Sequence, residues 1–287
     1  MKPRYKPIDS DSNLFKAVIQ ENEQEFEYPW HYHPEYELTY VLTGRGERYV
    51  GNSIENYQHD DFVLLGSNLP HSWVYTEEPG QPASSAIVIY MKKEFVDSEW
   101  MKTNEFTPLH QLFELSQKGI KFERSVALKL KNYFFGLLTA PPLEKTILLL
   151  QILAELSKSK KFHVLCRHGF AYDLKPATNE RINIINCYIQ KHYQKKITLK
   201  DIARQVHMSE EYFSRYFSRV MKKTFFEYLN EYRINQACKL LIETENQVTE
   251  ICYKAGFESI PFFYRQFKRF KSCQPKTYRM NFQKAMS

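Results

Sequence analysis

Cysteine is scarce and scattered. The chain holds five, at positions 166, 187, 238, 252 and 273, and no two stand in Cys-x-x-Cys spacing. An odd, dispersed set argues against a disulfide scaffold and against a zinc finger, and fits unpaired thiols in a reducing, cytoplasmic setting. No apolar run reaches the roughly 18 residues that mark a membrane span, so no membrane partner is expected. The opening residues, Met1-Lys-Pro-Arg-Tyr-Lys-Pro7, lead into polar sequence and not into the apolar core of a secretory signal. What is present is a chain of 287 residues, 43% hydrophobic and 15% aromatic. That is enough for two domains with cores of their own.

Charge divides the chain. Residues 178–287 carry 20 Lys+Arg against 10 Asp+Glu, whereas residues 1–177 carry 20 against 23. The basic part also repeats itself. TLKDIARQVHMSEEYFSRYFSRV (198–220) and VTEICYKAGFESIPFFYRQFKRF (248–270) follow one plan. Each has a short helix with Ile and a small residue (Ile202-Ala203, Ile251-Cys252), then a turn. A second helix follows with aromatic, Arg and aromatic in step (Phe213, Arg215, Phe217; Phe263, Arg265, Phe267). Ser209 and Ser259 are placed to cap those second helices, Pro261 is tolerated early in one, and Gly256 suits a positive φ. Between the copies, Phe226, Leu229, Arg233, Ala237, Leu240 and Leu241 recur at helical steps and predict one long spacer helix. This is helix-turn-helix grammar, and a basic surface is what phosphates require. The bland reading of the same pattern is an all-α repeat module that binds protein.

The stretch 197–279 resembles the DNA-binding domain of the AraC/XylS family of transcription regulators, most clearly through Ile-Cys…Gly-Phe…Phe-Phe…Arg-Gln-Phe-Lys…Pro…Tyr-Arg of its second copy. The chain departs from that family at Lys222 and Ser272, where a Gly usually follows each second helix. The resemblance implies sequence-specific binding of double-stranded DNA, with RNA polymerase and a second copy of the chain as further partners, and no enzymatic activity. Base-edge positions are expected at Glu211, Ser214 and Arg215 in the first unit and at Ile260, Pro261, Tyr264 and Arg265 in the second. Arg219, Lys222, Lys268 and Lys271 are expected on phosphates. Two units on one stiff spacer should address successive major-groove segments about 34 Å apart.

Residues 1–105 are written in strands: Phe15–Gln20, Leu38–Leu42, Glu47–Val50, Phe62–Leu65 and Ala86–Met91, punctuated by Gly, Asn, Asp and Pro. Many short strands predict a small barrel or jelly roll. His31-Tyr-His33, Glu37 and Gly44, followed by Asp60-Asp61, Gly66 and Pro70-His71, resemble the cupin fold. That resemblance implies His31, His33, Glu37 and His71 as ligands of a divalent ion. Residues two apart on an extended strand share a face, so His31, His33, Glu35 and Glu37 could enter one cavity. Imidazole and carboxylate suit zinc, iron, nickel or manganese. No cofactor is required by the fold, and the cluster could instead close the barrel mouth by hydrogen bonds or meet a polar effector directly. Trp30 and Trp73 stand near it and could stack on a sugar, although barrel lining is the ordinary use of such rings.

Residues 106–160 turn helical. Leu109, Leu112, Phe113 and Ser116 mark one helix, and Val126, Leu130, Tyr133, Phe134, Leu137 and Leu138 a second. After Pro141-Pro142 comes a third with Ile147, Leu150, Leu153 and Ala154 on one face. These helices can pack on the barrel, dimerise, or do both. Residues 161–178 read as a polar linker, and 179–287 as the DNA-binding domain. The fold expected is α+β: a cupin-like barrel with helical connector, then an all-α domain. A transcription regulator answering to a small polar effector such as a sugar is the function this supports. A cupin metalloenzyme with a DNA-binding tail, or a DNA-binding protein without effector, are the alternatives.

Overall fold

The structure, a computed structural model, describes residues 14–21, 31–76, 84–166 and 176–286. Two compact units divide the chain, built mainly of residues 3–170 and 171–287.

The first unit is two antiparallel sheets with helices. Its strands are β1 (Phe15–Glu21), β2 (Tyr36–Thr43), β3 (Gly46–Val50), β4 (Ser53–Tyr57), β5 (Phe62–Leu65), β6 (His71–Tyr75), β7 (Ser85–Met91), β8 (Ile120–Phe122) and β9 (Phe162–Val164). Six pair in the order β1-β7-β2-β5-β8-β9, and three in the order β4-β3-β6. The alternation of β2 decides which way each residue looks. Tyr36, Leu38 and Tyr40 join the core under the helices, with Phe62 and Leu64 of β5 and Ile87, Ile89 and Met91 of β7. Val41 joins Val63, Leu65, Val50 and Trp73 in a second, inner cluster. Glu37 and Thr39 share the face of Val41, so a carboxylate is carried to the interior by strand parity alone.

Helices α1 (Lys93–Val96), α2 (Thr107–Ser116), α3 (Arg124–Thr139) and α4 (Pro142–Lys158) complete the unit. Leu109, Leu112, Phe113 and Ser116 of α2 are all buried, and α3 buries Val126, Leu130, Phe134 and Leu137. On α4 the expected face is wrong by part of a turn. Leu149, Ile152, Leu153 and Leu156 are buried, while Ile147 is 48% and Leu143 73% exposed. With Leu on nearly every side, the helix could satisfy its core contacts in more than one rotation. α3 approaches this helix closely: a Cβ on Gly136 would lie 3.0 Å from Leu148 Cδ1. The expected 161–178 linker is also shorter than its polar composition implied. β9 pairs with β8, so the sheet draws strands from well beyond residue 105, and the next helix already begins at Pro176.

The second unit is helical: α5 (Pro176–His192), α6 (Leu199–Gln205), α7 (Glu210–Met221), α8 (Phe225–Glu243), α9 (Val248–Lys254), α10 (Ile260–Lys271) and α11 (Pro275–Met286). Both copies of the repeat become helix-turn-helix pairs, α6–α7 and α9–α10. Ser209 and Ser259 accept from the backbone N–H of Tyr212 and Phe262, capping α7 and α10 as expected. The turns use left-handed residues: His207 (φ 54°) in the first, Gly256 (φ 85°) in the second. Lys222 and Ser272 end α7 and α10 at φ 53° and 59°. The backbone therefore keeps the left-handed helix end that Gly usually supplies, at the steric cost of a side chain. The spacer α8 spans more than its predicted stripe. Tyr228, Leu229, Tyr232, Ile234, Ala237, Cys238 and Leu241 are buried and Phe226 is 44% exposed, because α7 of the first pair and α9 and α10 of the second all pack against the helix. All five cysteines are free thiols. Among the described residues no helix is long and apolar enough to cross a membrane.

Candidate nucleic-acid interface and barrel centre

The two second helices present side chains at matched places. Phe213 and Phe217 of α7, and Phe263 and Phe267 of α10, are fully buried. Rigid anchoring of these rings fixes what the opposite face shows. On α7 that face holds Glu211, Ser214, Arg215 and Arg219, all exposed. On α10 it holds Pro261, Arg265 and Lys268. Arg215 and Arg265 each stand five residues after the first residue of their helix. Arg265 is further ordered by Phe262, whose ring centroid lies 5.2 Å from the guanidinium carbon.

Three expectations need correction here. Ile260 and Tyr264 are only partly exposed, since both pack against the core of the second unit. Their apolar surface is used inward, and an adjacent Pro261 is what α10 offers outward. Lys271 is not held ready for a phosphate: its Nζ donates to Asn235 Oδ1 at 2.7 Å on α8. Neighbouring Arg269, not singled out in the sequence, pairs with Glu227 at 2.7 Å. That pair, with the backbone N–H and hydroxyl of Thr224, lowers the Glu227 carboxyl to about 2 against the opposing effect of desolvation. Both contacts fasten α10 to α8.

In the barrel, β2 starts at Tyr36, so His31, His33 and Glu37 do not lie on one continuous strand as expected. Pro34 sits in a bend, and His31 instead forms an isolated bridge with His71, exchanging both backbone hydrogen bonds at 3.0 and 2.9 Å. The bend brings the side chains together all the same. One donor atom from each of His31, His33, Glu37 and His71 lies within 4.8 Å of the others. His33, Glu37 and His71 are each under 5% exposed. Glu37 Oε2 is 3.0 Å from His33 Nε2 and 3.2 Å from His71 Nε2. Glu37 Oε1 accepts from Thr39 Oγ1 at 2.6 Å. Glu35 is one step back, 3.4 Å from His33 Nδ1. Trp73 and Tyr90 wall the cluster, with ring centroids 5.6 Å from His71 and 5.3 Å from His33. Trp30 lies outside the described residues.

Burial alone would depress His33, but its hydrogen bonds to Glu35 and Glu37 and their charges outweigh burial and push it up to about 9. Burial would raise Glu37, yet His71 and His33 hold its carboxyl well below the usual range. The donor set fits a divalent ion. His71 Nδ1 faces the Leu69 carbonyl at 2.7 Å, so that nitrogen must carry the proton. Its Nε2 is buried and faces Glu37 Oε2 at 3.2 Å, so a proton given up there would leave a lone pair aimed into the cluster. A ring fixed by a carbonyl on one nitrogen, with the other turned to the remaining donors, is the usual posture of a metal ligand. Thr39, Tyr90 and the Leu69 carbonyl are the supporting groups that spacing did not reveal. Thr39 could have been found from its parity with Glu37 on β2.

A family of helix-turn-helix domains matches residues 202–281, and the cupin domain family matches residues 18–83. The chain is 25% identical over 283 residues to the HTH-type transcriptional regulator YdeC of Bacillus subtilis, covering 96% of this chain and 94% of that one. It is 33% identical over 92 residues to the melibiose operon regulatory protein of Escherichia coli, covering 32% of this chain and 30% of that one. Among solved structures, the C-terminal domain of AraT, a response regulator from Geobacillus stearothermophilus, shares 28% identity. That match covers 38% of this chain and 88% of AraT's domain, with a TM-score of 0.34. The two domain matches fall on the tandem helical pairs and on the barrel: the chain carries a C-terminal helix-turn-helix domain of the AraC type and an N-terminal cupin domain, and is a DNA-binding transcription regulator.

Proposed function

We propose that this regulator lays α7 and α10 in successive major-groove segments and answers to a small polar effector held in the barrel beside a divalent ion. The observation that carries the DNA reading is the matched pair Arg215 and Arg265, each exposed on a helix whose opposite face is locked by buried rings. A guanidinium can bond guanine O6 and N7 together. Glu211, Ser214 and Pro261 complete the base-facing set, and Arg219 and Lys268 meet phosphates. The barrel reading rests on one donor atom from each of four side chains lying within 4.8 Å of the others, with the His71 ring held in place by the Leu69 carbonyl. His31, His33, Glu37 and His71 would hold the ion, which supplies a Lewis-acid contact for an effector oxygen. Trp73 would flank that effector. A sugar is the class we favour. One relative is named for the melibiose operon, and indole rings suit the face of a pyranose.

The exposed apolar residues Leu128 and Phe135 on α3 and Leu143 and Ile147 on α4 would seat a second copy of the chain, and RNA polymerase is the downstream partner. The protein senses and does not turn over its ligand. A cupin metalloenzyme would instead consume a candidate substrate at the loaded centre, which product analysis on the metal-loaded protein would reveal.

Metal analysis of purified protein, with His33→Ala as control, tests the centre. Near-stoichiometric metal in the parent and loss in the variant is expected; equal trace metal in both sinks the reading. Binding must displace the His33 proton, so metal affinity should rise with pH up to about 9. The sign for stability is opposite. His33 is raised above its ordinary 6.5, so metal-free protein should be most stable below that value and lose stability as pH climbs towards 9. A thermal melt series without metal reads this directly. Effector sensing is tested by operator affinity with and without a panel of sugars, where no change for any of them leaves the barrel without this role.

A further inference from the structure

The first and second helix-turn-helix pairs both pack on α8, but the space between them is not filled. A cavity of about 510 Å³ lies there, lined by Leu199 and Glu210 on the first side, Phe257 and Phe262 on the second, and Leu229 and Arg233 of α8. An open space cannot fix an angle by packing, because dispersion contact is lost across the gap. What borders the cavity is a clamp. Arg233 Nε donates to the Tyr193 carbonyl at 2.8 Å, and Nη2 donates to the Lys195 carbonyl at 2.8 Å. Both carbonyls belong to the lead-in to α6. The same guanidinium carbon sits 5.9 Å from the ring centroid of Phe257, in the turn of the second pair. Gly256 shares the clamp: a Cβ there would lie 2.2 Å from the Tyr193 oxygen and 3.0 Å from Arg233 Nε. One cation at the middle of the spacer therefore touches the entrance of one groove reader and the turn of the other.

We propose that Arg233 is a positioning residue that sets the spacing between the two DNA half-sites the protein accepts. A planar fork holds two carbonyls and one ring in a fixed relation. A lysine ammonium supplies charge but not that geometry. Without the fork, the two units stay folded on α8 but tilt more freely about the cavity. This rests on the reading that α7 and α10 enter successive groove segments, and the test separates the two ideas.

The probe is the duplex that the parent protein selects from a random library, with versions carrying one base pair added between its halves and versions with one half scrambled. Arg233→Lys and Arg233→Gln both keep the chain length, and circular dichroism checks their helix content. At the selected spacing both variants should bind about ten-fold weaker than the parent, because the angle the fork held beforehand must now be fixed on binding. One added base pair should cost the parent about 30-fold, comparable to one mismatched base pair, and cost the variants only a few-fold. Single-half duplexes should bind parent and variants alike. An equal spacing penalty in parent and variants overturns the role of Arg233 while leaving the tandem reading intact. An equal loss on single-half duplexes makes Arg233 a structural residue only and overturns it too. Selection of one undivided half by the parent overturns both.

Discussion

The two helix-turn-helix pairs share a plan and differ in how each is held. The first is fastened locally: Thr198 and Asp201 form a capping box at α6, and His207 makes the turn despite its side chain. The second has no side-chain cap at Gln247. Its stability comes instead from outside the motif, through Arg269 to Glu227, Lys271 to Asn235, and Arg279 to the carbonyls of Leu241, Thr244 and Asn246. Its turn is pressed against the lead-in of the first pair, which leaves room only for Gly256. The first pair thus adds a capping box of its own to the Arg233 clamp on its lead-in, whereas the second leans more on distant side chains.

Four experiments can break or sharpen this contrast. The largest effect is expected from Arg215→Ala with Arg265→Ala. Each bidentate contact discriminates by about 1–3 kcal/mol, so the double variant should lose most of its preference for the selected duplex over scrambled DNA while melting normally. Of the single changes, Arg265→Ala should cost more, since stacking on Phe262 already orders that guanidinium. Fluorescence anisotropy titrations would settle both points, and undiminished preference in the double variant would refute the groove-reading roles.

Next comes the turn. Gly256→Ala should destabilise by about 2–4 kcal/mol, as steric strain at a left-handed, crowded position does. His207→Gly should stabilise by about 0.5–1 kcal/mol, the left-handed strain less the extra chain entropy of glycine. Equal and opposite small effects at both turns would erase the contrast. Caps give the third pair. Thr198→Ala should lose about 1 kcal/mol, and Gln247→Thr should gain a similar amount, measured by urea melts. The smallest effect is expected at Arg269→Ala, about 0.5 kcal/mol for a pair this exposed. Glu227 is lowered to about 2, so its contribution is present above its ordinary 4.5 and vanishes as pH falls through about 2. The parent and this variant should converge in stability there.

The helical half was legible because its signals are local. Caps, Ile-small pairs and buried rings recur at fixed steps, and each needs only its own neighbours. Placing the outer face was harder. Ile260 and Tyr264 turn partly inward and Lys271 finds Asn235, because these contacts depend on α8, far off in sequence. The barrel was legible where strands alternate and invisible where they do not. β4 reads Ser-Ile-Glu-Asn-Tyr, too polar to announce a strand, and β8 and β9 are three residues each, too short to show a period. The cluster of His31, His33, Glu37 and His71 follows from the resemblance to cupins, with one extended strand expected through the first three. Pro34 breaks that strand, and the residues still converge because the bridge to His71 restores the pairing.

The pairing of β9 with β8 carries a practical corollary for handling and biosynthesis. Leu165 and Cys166 continue that ladder by hydrogen bonds to Gly119 and Lys118 and enter the inner cluster. A fragment cut at residue 105 or 160 would leave this edge bare and the inner cluster short of two members. The smallest well-behaved N-terminal piece should therefore run through Cys166, and a ribosome must release that residue before the barrel can close.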